Sequence, residues 1–143
     1  MKQQISVTTD CVVFYQNSEA IKVLLVKRKK DPYKGQWAIP GGFLEEKETL
    51  EEGAKRELKE ETGLSVDRLW QLKAFGTPGR DPRGRTVSIP FYGVVTSEEK
   101  VQGSDDAEDA QWFQLDQLPD LAFDHSEILE EAKKSYFSEI KNQ

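Results

Sequence analysis

Apolar and β-branched residues run together at Val7–Tyr15 and again at Ile21–Val26, and each run reads as a β-strand. Asn17-Ser18 supplies a turn between them. The run Lys27–Lys30 is wholly basic, and Asp31-Pro32 then breaks regular structure. Trp37-Ala38-Ile39 leads into a forced turn at Pro40-Gly41-Gly42. From Thr49 to Thr62 the period changes: Leu50, Ala54 and Leu58 recur at helical spacing, and Gly63 is a good C-terminal stop. A strand is expected over Leu69–Phe75, a loop over Gly76–Arg85 and a strong strand over Val87–Val95. An acidic loop at Thr96–Asp106 and a short strand at Gln111–Phe113 follow, with Leu118-Pro119 ending the next segment. Ser126–Ile140 is helical, with Asp124 and Glu127 spaced as a capping box.

Strands mixed with two helices well apart in sequence predict an α/β fold: a mixed sheet with a helix on each face. At 143 residues the chain is expected to form one domain, 1–143, around one core. No run approaches the roughly 20 apolar residues of a membrane span. The N-terminus lacks the apolar core of a signal peptide, so a cytoplasmic location is expected. Cys11 is the sole cysteine and is read as a buried structural thiol. The net charge of −6 makes a poor non-specific binder of nucleic acid or anionic membrane, so neither is expected as a partner. It is compatible with a phosphorylated small molecule held at a locally positive site.

The candidate chemistry lies on the first helix. Glu57, Glu60 and Glu61 stand at i, i+3 and i+4, on one face. Like charges so placed cost about a few tenths of a kcal/mol per pair. Alone, the cluster reads as a solvated acidic face. Its surroundings favour compensation by cations. Pro40-Gly41-Gly42 lets backbone approach closely and exposes carbonyls. Glu48 follows, and Arg56 immediately precedes Glu57 with the forked geometry that suits carboxylates.

Gly42, Glu48, Arg56, Glu57, Leu58, Glu60, Glu61, Gly63 and Leu64 match, without departure over the 23 residues from Gly42 to Leu64, a known spacing. The segment resembles the box G-x5-E-x7-R-E-U-x-E-E-x-G-U of the Nudix hydrolases, where U is apolar. The resemblance implies a Nudix α/β/α sandwich and a loop–helix–loop that binds a divalent cation, Mg²⁺ with Mn²⁺ as alternative. It implies Glu57, Glu60 and Glu61 as side-chain ligands and the Gly41 carbonyl as a backbone ligand. Arg56 and Glu48 would orient the cluster, with Glu48 also serving metal or base chemistry. The implied reaction is attack of water on a phosphorus of a nucleoside diphosphate derivative. The box does not fix which group takes the proton.

Substrate choice must come from elsewhere. The loop Gly79–Arg85 carries Arg80, Arg83 and Arg85, whose forks suit phosphate oxygens, although Arg–Asp pairing in a surface hairpin is the plainer reading. The segments Phe75–Arg85 and Leu121–His125 resemble a Nudix subgroup that acts on ADP-ribose, which implies AMP and ribose 5-phosphate as products. The alternatives are a nucleotide sugar, a dinucleoside polyphosphate, an oxidised nucleoside triphosphate, or a non-catalytic ADP-ribose-sensing module. The intact glutamates, the acidic charge and a length too short for an added DNA-binding domain argue against the last. Arg28 is a candidate for a terminal phosphate. Asp106 or Glu108, in the acidic stretch, is a candidate for the metal or the base. A nucleobase would stack on an aromatic among Phe14, Tyr15, Phe91 and Tyr92. Trp37 is expected in the core, and His125, the only histidine, in a structural role. A monomer and a homodimer both stay open.

Overall fold

Successive residues of a strand point to opposite faces, and in β1 (Ser6–Gln16) both faces are covered. Cys11 and Val13 join one apolar cluster with Ala54 and Leu58 of α1 (Leu50–Thr62). Val12 and Phe14 join a second with Ile128, Leu129 and Ala132 of α2 (His125–Lys141). β2 (Ile21–Arg28) divides in the same way: Leu24 and Val26 face α1, while Val23 and Leu25 face α2. Burial on both sides is why these strands read as unbroken apolar runs. The observations come from a computed structural model, which describes residues 3–97, 101 and 107–141.

The other strands are β3 (Trp37–Ala38), β4 (Gly41–Phe43), β5 (Trp70–Gln71), β6 (Thr86–Val95) and β7 (Ala107–Gln114). The sheet order is β3-β2-β1-β6-β5, with β4 paired to β1 and β7 to β2. β1 and β6 run parallel, and every other pair is antiparallel, so the sheet is mixed. A mixed sheet between helices is the Nudix sandwich expected from the sequence. No helix among the described residues is long and apolar enough to cross a membrane.

α1 is fixed at both ends. Thr49 Oγ1 accepts the Glu52 N–H at 3.1 Å, and Glu52 accepts the Thr49 N–H at 2.8 Å, a complete capping box. Gly63 closes the helix at φ 79°, in the left-handed region, and its N–H donates to the Lys59 carbonyl.

Four expectations change. Gly41 and Gly42, read as part of a forced turn at Pro40-Gly41-Gly42, belong to strand β4 and pair with β1. The strand proposed for Leu69–Phe75 is reduced to Trp70–Gln71 and a single bridge at Phe75. The Leu72 N–H reaches the Pro90 carbonyl at 2.8 Å, but proline has no N–H to return, and the ladder stops. The short strand at Gln111–Phe113 lengthens to Ala107–Gln114 because it pairs along the whole of β2. At the start of α2, the Asp124 carboxylate pairs with Arg80, and the Asp124 backbone carbonyl receives the Glu127 N–H at 3.0 Å.

Candidate active site

Pairing of β4 with β1 sets Gly41 opposite Asp10 and Gly42 opposite Thr9, which brings the Gly-Gly backbone against α1. A Cβ on Gly42 would stand 2.7–2.8 Å from the Glu57 carboxyl atoms. A Cβ on Gly41 would collide with the Asp10 carboxylate and the Thr9 carbonyl. The Gly41 N–H donates to Glu61 Oε2 at 3.2 Å. The absence of a Cβ at both positions allows this approach, which brings the Gly41–Gly42 backbone beside Glu57 and Glu61.

Arg56 ties the cluster together. Its Nε and Nη2 donate to both Glu48 oxygens at 2.9 and 2.7 Å, a bidentate fork. Its Nη1 donates to Glu57 at 2.7 Å and Glu60 at 3.1 Å, and Nη2 also reaches the Phe43 carbonyl at 3.2 Å. The Arg56 hydrogen bonds hold the Glu48 carboxyl below the usual range, against a smaller effect of burial. Glu48 and Glu57 together push the Arg56 guanidinium further towards its charged form, Glu48 most strongly. Glu61 is buried, Glu57 mostly so, and Glu60 is open to solvent.

Every donor here is an oxygen, which fits a hard divalent cation. Among the described residues no three acidic or histidine side chains enclose such an ion unaided. Arg56 draws Glu57 and Glu60 towards itself. The oxygen donors present would suit a hard divalent cation that binds few carboxylates and completes its shell with phosphate and water.

Gly41, Arg56, Glu57 and Glu61 line a cavity of about 350 Å³, and Arg28, Arg80 and Arg83 line it too. Glu48 and Glu60 reach this group through Arg56. Arg85 does not line the cavity; its carbonyl accepts the Ser6 N–H at 3.0 Å. Asp106, and the side chain of Glu108, lie outside the described residues. Arg80 is almost wholly buried and forks onto Asp124 at 2.6 and 2.8 Å. Arg83 forks onto Asp81 at 2.8 and 3.1 Å. Burial raises the Asp81 carboxyl, but Arg83 outweighs it and holds the group low. The plainer reading of this loop, Arg–Asp pairing, is thus realised at both arginines.

Several residues take places that sequence reasoning did not assign. Phe14, Phe91 and Tyr92 are core residues, and Tyr15 packs against Trp112. The aromatics that line the cavity are Phe43 and Phe123. Asp10 lines it as well, buried, with Oδ2 lacking any partner. Burial, only partly offset by Ser88 and Arg80, pushes Asp10 up to about 7. The signal was present in the sequence: Asp10 is the lone acid in the apolar run Val7–Tyr15. His125 is buried, and its Nδ1 accepts the Ile39 N–H at 3.0 Å. Burial lowers its pKa to about 4, so it stands neutral, and it lines the cavity with Nε2 3.9 Å from Asp10 Oδ1. Burial likewise pushes the Cys11 thiol up to about 12. Trp37 is half-buried against Phe113.

Comparison with known proteins agrees with this geometry. The family model described as NUDIX domain matches residues 5–132. The chain is 48% identical over 110 residues to an ADP-ribose pyrophosphatase of Methanocaldococcus jannaschii, covering 77% of this chain and 64% of the relative. It is 34% identical over 140 residues to the ADPR responsive transcriptional repressor NtrR of Acinetobacter baylyi, covering 95% of this chain and 54% of the repressor. The chain therefore spans less than two thirds of the length of either relative. The NUDIX domain of Shewanella oneidensis NrtR, solved with ADP ribose, superposes with a TM-score of 0.85 at 32% identity, covering 95% of this chain and 90% of that one.

Proposed function

The chain belongs to the Nudix family, and from that premise we propose that it hydrolyses ADP-ribose to AMP and ribose 5-phosphate with a divalent cation, Mg²⁺ or Mn²⁺. The observation that carries this reading is the cavity itself. Oxygen donors on α1, the Gly41–Gly42 backbone and arginines all line the same space. The carboxylates suit a cation and the arginines a diphosphate. Hydrolases of this family in general use divalent metals.

Glu57, Glu60, Glu61 and the Gly41 carbonyl would hold the cation. When bound, it neutralises phosphate charge and acidifies a water. Arg56, anchored on Glu48, orients Glu57 and Glu60. Arg28, whose Nε donates to the Pro32 carbonyl at 2.7 Å, would add positive field towards the substrate phosphates from its place in the cavity lining, as would Arg80 and Arg83 from their paired positions. Burial of Glu61 and most of Glu57 keeps water from competing for these oxygens.

The substrate is a small nucleotide in this reading. Its test is a panel of ADP-ribose, nucleotide sugars, dinucleoside polyphosphates and nucleoside triphosphates, ranked by kcat/KM. ADP-ribose is expected to lead. Another compound in first place would keep the chemistry and discard the substrate. The likeness to a repressor over 95% of the chain supports a second reading, a module that senses ADP-ribose. That reading expects ADP-ribose to bind without being turned over.

A further inference from the structure

Asp10 and His125 are both buried and both line the cavity, yet neither completes the other. Alternation along β1 sends the Asp10 side chain to the face of Val12 and Phe14, the face that α2 covers. His125 is the first residue of α2, and its Nε2 comes within 3.9 Å of Asp10 Oδ1. That separation is too long for a hydrogen bond. Asp10 Oδ2 has no hydrogen-bond partner among the described residues. Arg80, whose charge reaches Asp10, commits its fork to Asp124. An unpaired carboxylate oxygen in a protein interior is costly, and one that lines a cavity is accounted for when a ligand completes it.

The tautomer of His125 follows from its partner. Nδ1 accepts the Ile39 N–H at 3.0 Å, so the proton of the neutral ring sits on Nε2. The two residues therefore offer the cavity one donor, Nε2–H, beside an accepting carboxylate. A cation finds a ligand in the carboxylate but none in Nε2–H, which has no lone pair to give. A phosphate oxygen accepts from Nε2 but has no proton for Asp10. A hydroxyl group does both, accepting from Nε2 and donating to Asp10.

We propose that Asp10 and His125 form a hydroxyl-recognising pair that takes a sugar hydroxyl of the substrate, which rests on the reading of that substrate as a nucleotide carrying a terminal sugar. Nε2 donates to the hydroxyl oxygen, and the hydroxyl donates to the Asp10 carboxylate. The pair sets a preference for a hydroxylated sugar next to the phosphates and takes no part in the bond cleaved. Water is the other source of the same chemistry, and the test separates the two.

The test titrates the full chain with ribose 5-phosphate and with tetrahydrofurfuryl phosphate, which keeps the ring and the phosphate but has no ring hydroxyl. Binding is followed by NMR shift changes, which suit weak ligands. The wild type is expected to bind ribose 5-phosphate roughly tenfold or more tightly than the analogue. Asp10→Asn should lose most of that preference. His125→Asn, whose amide oxygen can replace Nδ1 as acceptor for Ile39 but which lacks the Nε2 donor, should lose it too. Binding of the analogue reports that each variant is folded, and either variant suffices if the other fails to fold. Equal affinity of the wild type for the two probes, no binding of ribose 5-phosphate, or a preference kept in both variants overturns the pair as a reader of sugar. Equal affinity together with a lowered kcat in Asp10→Asn assigns the pair to a water instead. A wild type that prefers ribose 5-phosphate through this pair yet leaves ADP-ribose intact defeats the proposed hydrolysis and not the pair.

Discussion

Replacing Gly42 by alanine separates the position of Glu57 from the stability of the fold. The new Cβ would meet the Glu57 carboxyl atoms at 2.7–2.8 Å. Ordinary contact begins near about 3.5 Å, so the carboxylate must withdraw by about 0.7 Å. The obstacle is the far end of a flexible side chain, which can move. Gly42 is also not among the glycines at positive φ, so alanine brings no backbone strain. Loss of unfolded-state entropy favours the variant by about 0.4–1 kcal/mol, against a weakened bond from Arg56 to Glu57. The net change in stability is expected to stay within about 1 kcal/mol. Activity should respond far more, because displacements of about 1 Å at a reacting centre cost on the order of a hundredfold. The expected outcome is a kcat for ADP-ribose lowered roughly ten- to hundredfold, with a nearly unchanged urea midpoint. Full activity would refute the claim that Glu57 must sit where Gly42 permits. A collapsed midpoint would refute the claim that the clash is absorbed locally.

Gly41→Ala should behave oppositely, because its Cβ would strike the Thr9 carbonyl and come within 2.9 Å of the Asp10 Cα. Backbone cannot retreat as a side chain can, and a stability loss of about 2 kcal/mol or more is expected by urea unfolding. Leu58→Ala empties a fully buried site between α1 and β1 and should cost about 2–5 kcal/mol in the same measurement. His125 gives a pH signature: its pKa is about 4 when folded against 6.5 when unfolded. As pH falls from 6.5 towards 4, the unfolded chain takes a proton that the native state refuses. Native stability then drops by up to about 3 kcal/mol. His125→Gln lacks this term, so the stability difference between wild type and variant should narrow over that window. Asp10, which is raised to about 7 and acts with the opposite sign, is common to both chains, as are Arg28, Arg80, Asp81 and Asp124. A constant difference would count against burial of a neutral imidazole.

The features readable from the chain are those with local causes. The α1 box repeats at fixed spacing, its caps Thr49 and Gly63 lie at its own ends, and β1 and β2 announce burial on both faces by composition. What escaped depends on partners distant in sequence. The strand after Leu69 stops because Pro90 happens to face Leu72. Arg80 reads as a phosphate ligand until Asp124, 44 residues on, is seen to hold it. Phe43 and Phe123 look no different in composition from Phe14 and Phe91, and only the fold turns the first pair to the cavity and the second to the core. Asp10 is the instructive case, since an acid inside an apolar strand costs too much to be incidental.

The most direct test follows ADP-ribose by phosphorus NMR with wild type and Glu57→Gln, each with Mg²⁺ and again with excess chelator. The account predicts AMP and ribose 5-phosphate from wild type with Mg²⁺. Chelator should abolish that turnover, and Glu57→Gln should lose most of it. Undiminished cleavage in chelator or in Glu57→Gln, or intact ADP-ribose throughout, would contradict it.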